Sequence, residues 1–207
     1  RYELRWSKTN IHHIVSWIKD NNKSLDNKNN NEYRLPGDVV PKKYVLSLEP
    51  FLDPNNFTYS GTVQILALAT KKTNQIVLHA SEITFYVDQV LVSNKEVNVS
   101  KSYKDKNDFL VIKLGQTLDE KTEMNIVIRF MGKLNEDMQG FYRSYYIDEN
   151  GKKRWLAATQ LAPIGARKMF PCFDEPAMKA VFSVDVIIPK DYRCISNAKV
   201  VSIDHYP

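Results

Sequence analysis

Asp174 and Glu175 are adjacent carboxylates inside the most patterned stretch of the chain, WLAATQLAPIGARKMFPCFDEPAMKAVF, residues 155–182. Two carboxylates can share general acid–base work when they converge on one bond. Neighbouring residues diverge in direction, and Pro176 marks a turn directly after these two. The spacing therefore favours a structural role for the pair. Four histidines could serve as metal ligands: His12, His13, His79 and His205. A zinc pair of the His-Glu-x-x-His kind needs imidazoles at i and i+4, which puts both on one helix face. None of the four is followed by Glu, and His12 and His13 would point about 100° apart on a helix. His79 falls in a strand-like run and reads as structural. Cys172 and Cys194 are too few for a disulfide scaffold or a four-cysteine zinc site. A disulfide between them and two buried free thiols are both open. The sequence holds no glycine-rich phosphate loop, no Gly-x-Ser-x-Gly elbow and no Cys-x-x-Cys.

The composition bounds the rest. In 207 residues, 43% are apolar and 26% charged, which is normal for a globular chain with a sizeable core. The net charge is +5, but the basic residues are scattered and form no stripe with interleaved aromatics, so nucleic acid is not indicated as a partner. The longest apolar runs are short, such as Ile65 to Ala69, and nothing reads as a transmembrane segment. The chain opens at Arg1 without an initiator Met or a signal-peptide pattern, which reads as a mature segment or a fragment. Sequons at Asn22, Asn56 and Asn98 are candidate glycosylation sites and lean modestly towards secretion.

Residues 1–20 read as an amphipathic helix, because Ile11, Ile14, Val15 and Ile18 recur at i, i+3, i+4 and i+7. Residues 21–32, NNKSLDNKNNNE, have almost nothing to bury and read as an Asn-rich linker. From Tyr33 the period changes to two: Tyr44, Leu46 and Leu48 alternate with Val45, Ser47 and Glu49. Further strand-like runs are Tyr59–Thr70, Gln75–His79, Phe85–Val92, Phe109–Leu114, Asn125–Phe130, Phe141–Ile147, Trp155–Gln160, Val181–Ile188 and Cys194–Val201. Many short strands separated by turns, with no long helices between them, predict an all-β, antiparallel curved sheet or sandwich.

Ordered landmarks carry a resemblance further. Residues 44–50 (YVLSLEP), 57–63 (FTYSGTV), 76–79 (IVLH), 140–144 (GFYRS), 158–160 (ATQ) and 170–176 (FPCFDEP), followed by Lys179, resemble the N-terminal β domain of zinc metallo-aminopeptidases of the aminopeptidase N type. The match covers about residues 33–204. It implies a saddle-like β domain over residues 33–207 that runs on for further strands in the family. It also implies a parent that uses zinc to cleave single residues from peptide N-termini. The family's zinc motif and its Gly-Ala-Met-Glu-Asn segment do not occur here, so no catalytic or metal-ligating residue is expected within this chain, and zinc is a cofactor of the parent only. By resemblance Gln160 lies on the loop that reaches into the substrate pocket, as a binding residue; a strand-end polar residue satisfying nearby backbone is the plainer alternative. The family usually has Glu or Gln two positions later, as an acceptor for the substrate's α-ammonium; this chain has Ala162.

Trp6, Asn10 and Trp17 stand at the spacing of a helix that closes members of the same family, which suggests a tandem of units joined by the linker. The expected partners are peptide substrates and the parent's catalytic domain, and the expected address is extracellular or the cell surface. The rival expectation is a catalytically silent homologue that acts as a surface receptor.

Overall fold

The computed structural model describes the backbone course of residues 2–8 and, in full, residues 33–205. Strand β2 (Val39–Asp53) shows how the period-two pattern becomes structure: Tyr44, Leu46 and Leu48 are buried on one face, while the residues between them are at least partly exposed. β2 turns through Pro54 and Asn55 into β3 (Asn56–Ala69), and the pair runs antiparallel over its whole length. β3 then pairs with β9 (Glu123–Lys133), and β9 with β5 (Thr84–Val92), which ends on the two-residue β6 (Lys95–Glu96). On the other side β2 pairs with β12 (Val181–Ile188). With β1 (Tyr2–Lys8) and β13 (Val200–His205) this makes an eight-stranded sheet in the order β13-β1-β12-β2-β3-β9-β5-β6. A three-stranded sheet, β4 (Thr73–His79), β8 (Phe109–Leu118) and β7 (Val99–Lys104), shares one apolar core with it. Ile65, Ile126 and Ile128 of the large sheet and Ile76, Leu78, Leu110 and Ile112 of the small one are fully buried there. A hairpin, β10 (Gly140–Ile147) and β11 (Lys153–Gln160), forms the third sheet.

The all-β expectation holds: among the described residues the one helical element is the short 3-10 turn Ala166–Lys168. Three details differ. β12 lies parallel to β2, so the sheet is mixed rather than wholly antiparallel. The strand expected over Cys194–Val201 starts only at Val200; a local bond from Ala198 N to Ser196 Oγ (3.2 Å) bends the chain before it. The helix expected over residues 1–20 is corrected at its start. Tyr2–Lys8 is a strand lying antiparallel to both β12 and β13, where its backbone groups find partners on two sides. The apolar positions 11–18 and the linker 21–32 lie outside the described residues, as do Asn10 and Trp17 of the Trp6 spacing.

Two glycines let β3 and β9 seat their aromatic rings. Tyr59 is opposite Gly132 and Gly61 opposite Phe130, and each ring lies over the bare backbone of its partner. Tyr59 also stacks edge-on with Phe130 and Phe141, and its hydroxyl donates to Lys168 O at 2.8 Å. A methyl group at position 132 would enter the Tyr59 ring. Gly132→Ala should therefore destabilise the domain by about 1–3 kcal/mol through overpacking. Gly115→Ala, whose nearest neighbours are the Asn98 side chain and backbone at 3.2 Å or more, is the milder control in the same denaturant titration.

Candidate functional site

The segment after β11 is held from several sides. Gly165 N donates to Leu161 O at 2.7 Å and closes a tight turn over 161–165. The turn includes the cis peptide bond Ala162–Pro163. Gly165 sits against the base of the hairpin, where an added Cβ would come within 3.1 Å of Gly140 N. A bulkier residue there would push the turn off the hairpin. Met169 and Phe170 then enter the core. Phe170 meets Tyr44 and Phe182 edge-on, and Tyr44 stacks flat on Phe182 at 4.5 Å.

The next residues are fixed by polar contacts. Cys172 and His79 exchange backbone bonds in both directions, at 2.8 and 3.1 Å. Phe173 N donates to the Tyr44 hydroxyl at 3.1 Å, and Asp174 N donates to His79 Nδ1 at 3.2 Å. Arg167 Nε donates to Asp174 Oδ2 at 2.8 Å, and Arg167 Nη2 to Asp174 O at 3.1 Å. Glu175 accepts from Leu35 N at 2.6 Å and from Arg34 Nη1 at 3.3 Å. The two adjacent carboxylates thus face different cations and do not converge. Lys168 adds a bridge to Glu82 at 2.8 Å, and that hydrogen bond raises its pKa.

His79 is fully buried, its ring 5.1 Å from that of Phe109. Since Nδ1 accepts from Asp174 N, the neutral ring carries its proton on Nε2, which has no hydrogen-bond partner among the described residues. Burial first, and the nearby Arg167 second, push its pKa down to about 4. Burial raises the Cys172 thiol well above its ordinary value and raises Cys194 as well. Both thiols are free; Cys172 is buried and Cys194 partly so. His205 lies on β13, and His12 and His13 fall outside the described residues. Among the described residues no three His, Cys, Asp or Glu side chains gather as a metal would need.

Gln160 and Ala162 sit on the exposed side of this anchored segment. Gln160 ends β11 opposite Gly140, and its Nε2 donates to Ala162 O at 3.2 Å. That bond engages the amide nitrogen of an exposed side chain. Ala162 presents only a methyl group. Beside the turn lies an open apolar cleft of about 480 Å³. Leu46, Leu48, Val184 and Val186 of the large sheet line it, together with Ala157 and Leu161. Neither Gln160 nor Ala162 is part of its lining.

The anchoring role of Tyr44 is not visible in the sequence, where it is one apolar position in an alternating strand. The pairing of Asp174 with Arg167, seven residues apart, is equally silent, because only the fold of the turn brings them together.

The chain matches the model of the peptidase M1 N-terminal domain over residues 40–206. It is 34% identical over 178 residues to aminopeptidase N of Oryctolagus cuniculus, covering 81% of this chain and 18% of that protein. Aminopeptidase N of Bos taurus is 36% identical over 178 residues, again covering 81% and 18%. Aminopeptidase 2 of Candida albicans is 35% identical over 191 residues, covering 91% of this chain and 20% of that protein. The chain thus spans about a fifth of the length of the relatives it matches.

Proposed function

This chain belongs to the peptidase M1 N-terminal domain family, and we propose that it is the N-terminal β domain of a zinc-dependent aminopeptidase that removes single residues from peptide N-termini. The observation that carries this reading is Gln160. It is exposed at the end of a strand, on a segment fixed from several sides, and its amide is held by a bond to Ala162 O. An exposed amide on a rigid element can donate to and accept from a peptide backbone, which suits the positioning of a peptide substrate. In this reading the domain supplies one wall of the substrate cavity, and the parent's catalytic domain supplies the rest. The described residues offer no fitting donor set for zinc, since His79 Nδ1 already accepts from Asp174 N and no three His, Cys, Asp or Glu side chains gather as a metal would need. The metal belongs to the remainder of the parent. Large apolar clefts are costly in water, which supports the catalytic domain as a partner that covers this face. The parent's address in this reading is the cell exterior or the cell surface.

Two substitutions in the full-length parent test the wall. Gln160→Ala should lower kcat/KM on an aminoacyl reporter about 3- to 10-fold, the value of one neutral hydrogen bond. Ala162→Glu should raise it about ten- to a hundredfold by supplying an acceptor for the α-ammonium. Unchanged kcat/KM in both variants would remove this segment from the pocket.

Ala162 also favours a second reading, a catalytically silent homologue that serves as a surface receptor. A chelator-sensitive aminopeptidase assay on the parent separates the two. Activity lost to chelator and restored by zinc supports the peptidase, and no activity at any zinc concentration supports the receptor.

A further inference from the structure

We propose that Asn56 carries an N-linked glycan in preference to the other described sequon, at Asn98, whose side chain lies against neighbouring backbone. The inference rests on the reading of the parent as an extracellular or surface protein. Asn56 opens β3 and pairs with Asp53 across the two-residue turn at the end of the β2–β3 hairpin. It is exposed, and its Oδ1 accepts from the Thr58 hydroxyl of its own sequon at 3.2 Å. The bond holds the amide by its oxygen, so the nitrogen, the atom that takes sugar, is the end left to solvent.

Asn98 is exposed as well, but its sequon is arranged differently. Its side-chain amide lies over Gly115, where an added Cβ would meet Asn98 Nδ2 at 3.2 Å. Gly115 N donates to Asn98 O at 2.7 Å and keeps the two segments together. The Ser100 hydroxyl of this sequon donates to Lys113 O at 3.1 Å, across to β8. A sugar on that nitrogen would start beside the Gly115 main chain, with less room to turn than one at the hairpin end. Asn22 lies outside the described residues.

The transfer joins Asn56 Nδ2 to the anomeric carbon of an oligosaccharide carried on a lipid diphosphate. The bond from that carbon to the diphosphate oxygen breaks and its electron pair leaves with the lipid diphosphate, while the amide nitrogen gives up one proton, which the leaving diphosphate takes. A glycan at this place would also mark the β2–β3 hairpin end as solvent-facing in the assembled parent, away from any domain contact.

The test is site-specific occupancy in the full-length parent secreted from cultured animal cells. Enzymatic deglycosylation in heavy-oxygen water converts each glycosylated Asn to labelled Asp, which peptide mass spectrometry counts. Asn56 is expected to be largely labelled and Asn98 largely unlabelled. Asn56→Gln should abolish the label at 56 and reduce the mass of the secreted protein. Thr58→Ala should do the same while keeping the Asn56 side chain, and Asn98→Gln should leave the mass almost unchanged. A bare Asn56 in secreted protein, or labelling of Asn98 equal to or above that of Asn56, overturns the proposal. If the native leader does not direct secretion, a supplied leader permits the same measurement. Failure of the native leader then counts against the extracellular reading and leaves the site assignment to be decided by the labelling.

Discussion

Asp174→Ala should be the most damaging single substitution in the segment that carries Gln160, costing about 3–5 kcal/mol. The carboxylate and its partner Arg167 are both mostly buried, with side-chain exposures of 13% and 15%. Removing the carboxylate leaves a guanidinium in a poorly solvated place with only the Asp174 carbonyl to accept from it. The cost comes from that stranded charge more than from the lost attraction. Asp174→Asn keeps an acceptor oxygen and should cost roughly half as much. The damage should also spread. Arg167 O accepts from Ser81 N, and Arg167 is the middle residue of the 3-10 turn that follows Gly165, so a displaced Arg167 loosens the turn bearing Ala162. Hydrogen exchange on the full-length parent reads this directly: protection should fall at Ser81 and over residues 165–175. In activity, Asp174→Ala combined with Gln160→Ala should cost less than the sum of the two alone, because both act through one segment. Native-like protection over 165–175 in Asp174→Ala would show that the ion pair is dispensable.

These contacts mark where a sequence stops being legible. The period-two runs were readable because each strand buries alternate residues against a single core, as Tyr44, Leu46 and Leu48 do. Val181–Ile188 appears as a strand with the bounds that its pattern suggests. The direction of that strand was not readable, since a period of two is the same whether the neighbour runs parallel or antiparallel. β7, with the sequence VSKSYK, has too little alternation to declare itself and exists because β8 offers it a ladder. At the candidate site, Gln160 and Ala162 could be named only through the order of landmarks around them. Their exposure and the bond between them depend on the turn over 161–165, which is set by contacts with Gly140 far back in the chain. The distant partners of Asp174 and Glu175, from Arg34 to His79, come from segments up to 141 residues away. No local pattern encodes such separations.

His79 supplies the second large effect, one that appears with acid. Its pKa is about 4 in the folded protein, against 6.5 in an unfolded chain. The folded state therefore holds the ring neutral where the unfolded chain would protonate it. Between those two values the unfolded state binds more protons, so stability rises with pH through this window and falls as the solution is acidified. The contribution is fully present above pH 6.5 and fully lost below about pH 4, a change of about 3 kcal/mol. Protonation would also put a hydrogen on Nδ1, the atom that accepts from Asp174 N, and would set two donors against each other. The groups that act on the ring are Arg167, which opposes its protonation, and Asp174, Glu175 and Asp108, which favour it; burial outweighs all of them. His79→Asn places a neutral acceptor near the position of Nδ1 and removes the titration. Plotted against pH, the stability difference between wild type and His79→Asn should be flat above pH 6.5 and should move by about 3 kcal/mol in favour of the variant by pH 4. Taking the difference cancels the carboxylates, which titrate in both proteins. A difference that does not change with pH would mean that the ring is already satisfied in its charged form, contrary to its burial beside Phe109 and Arg167.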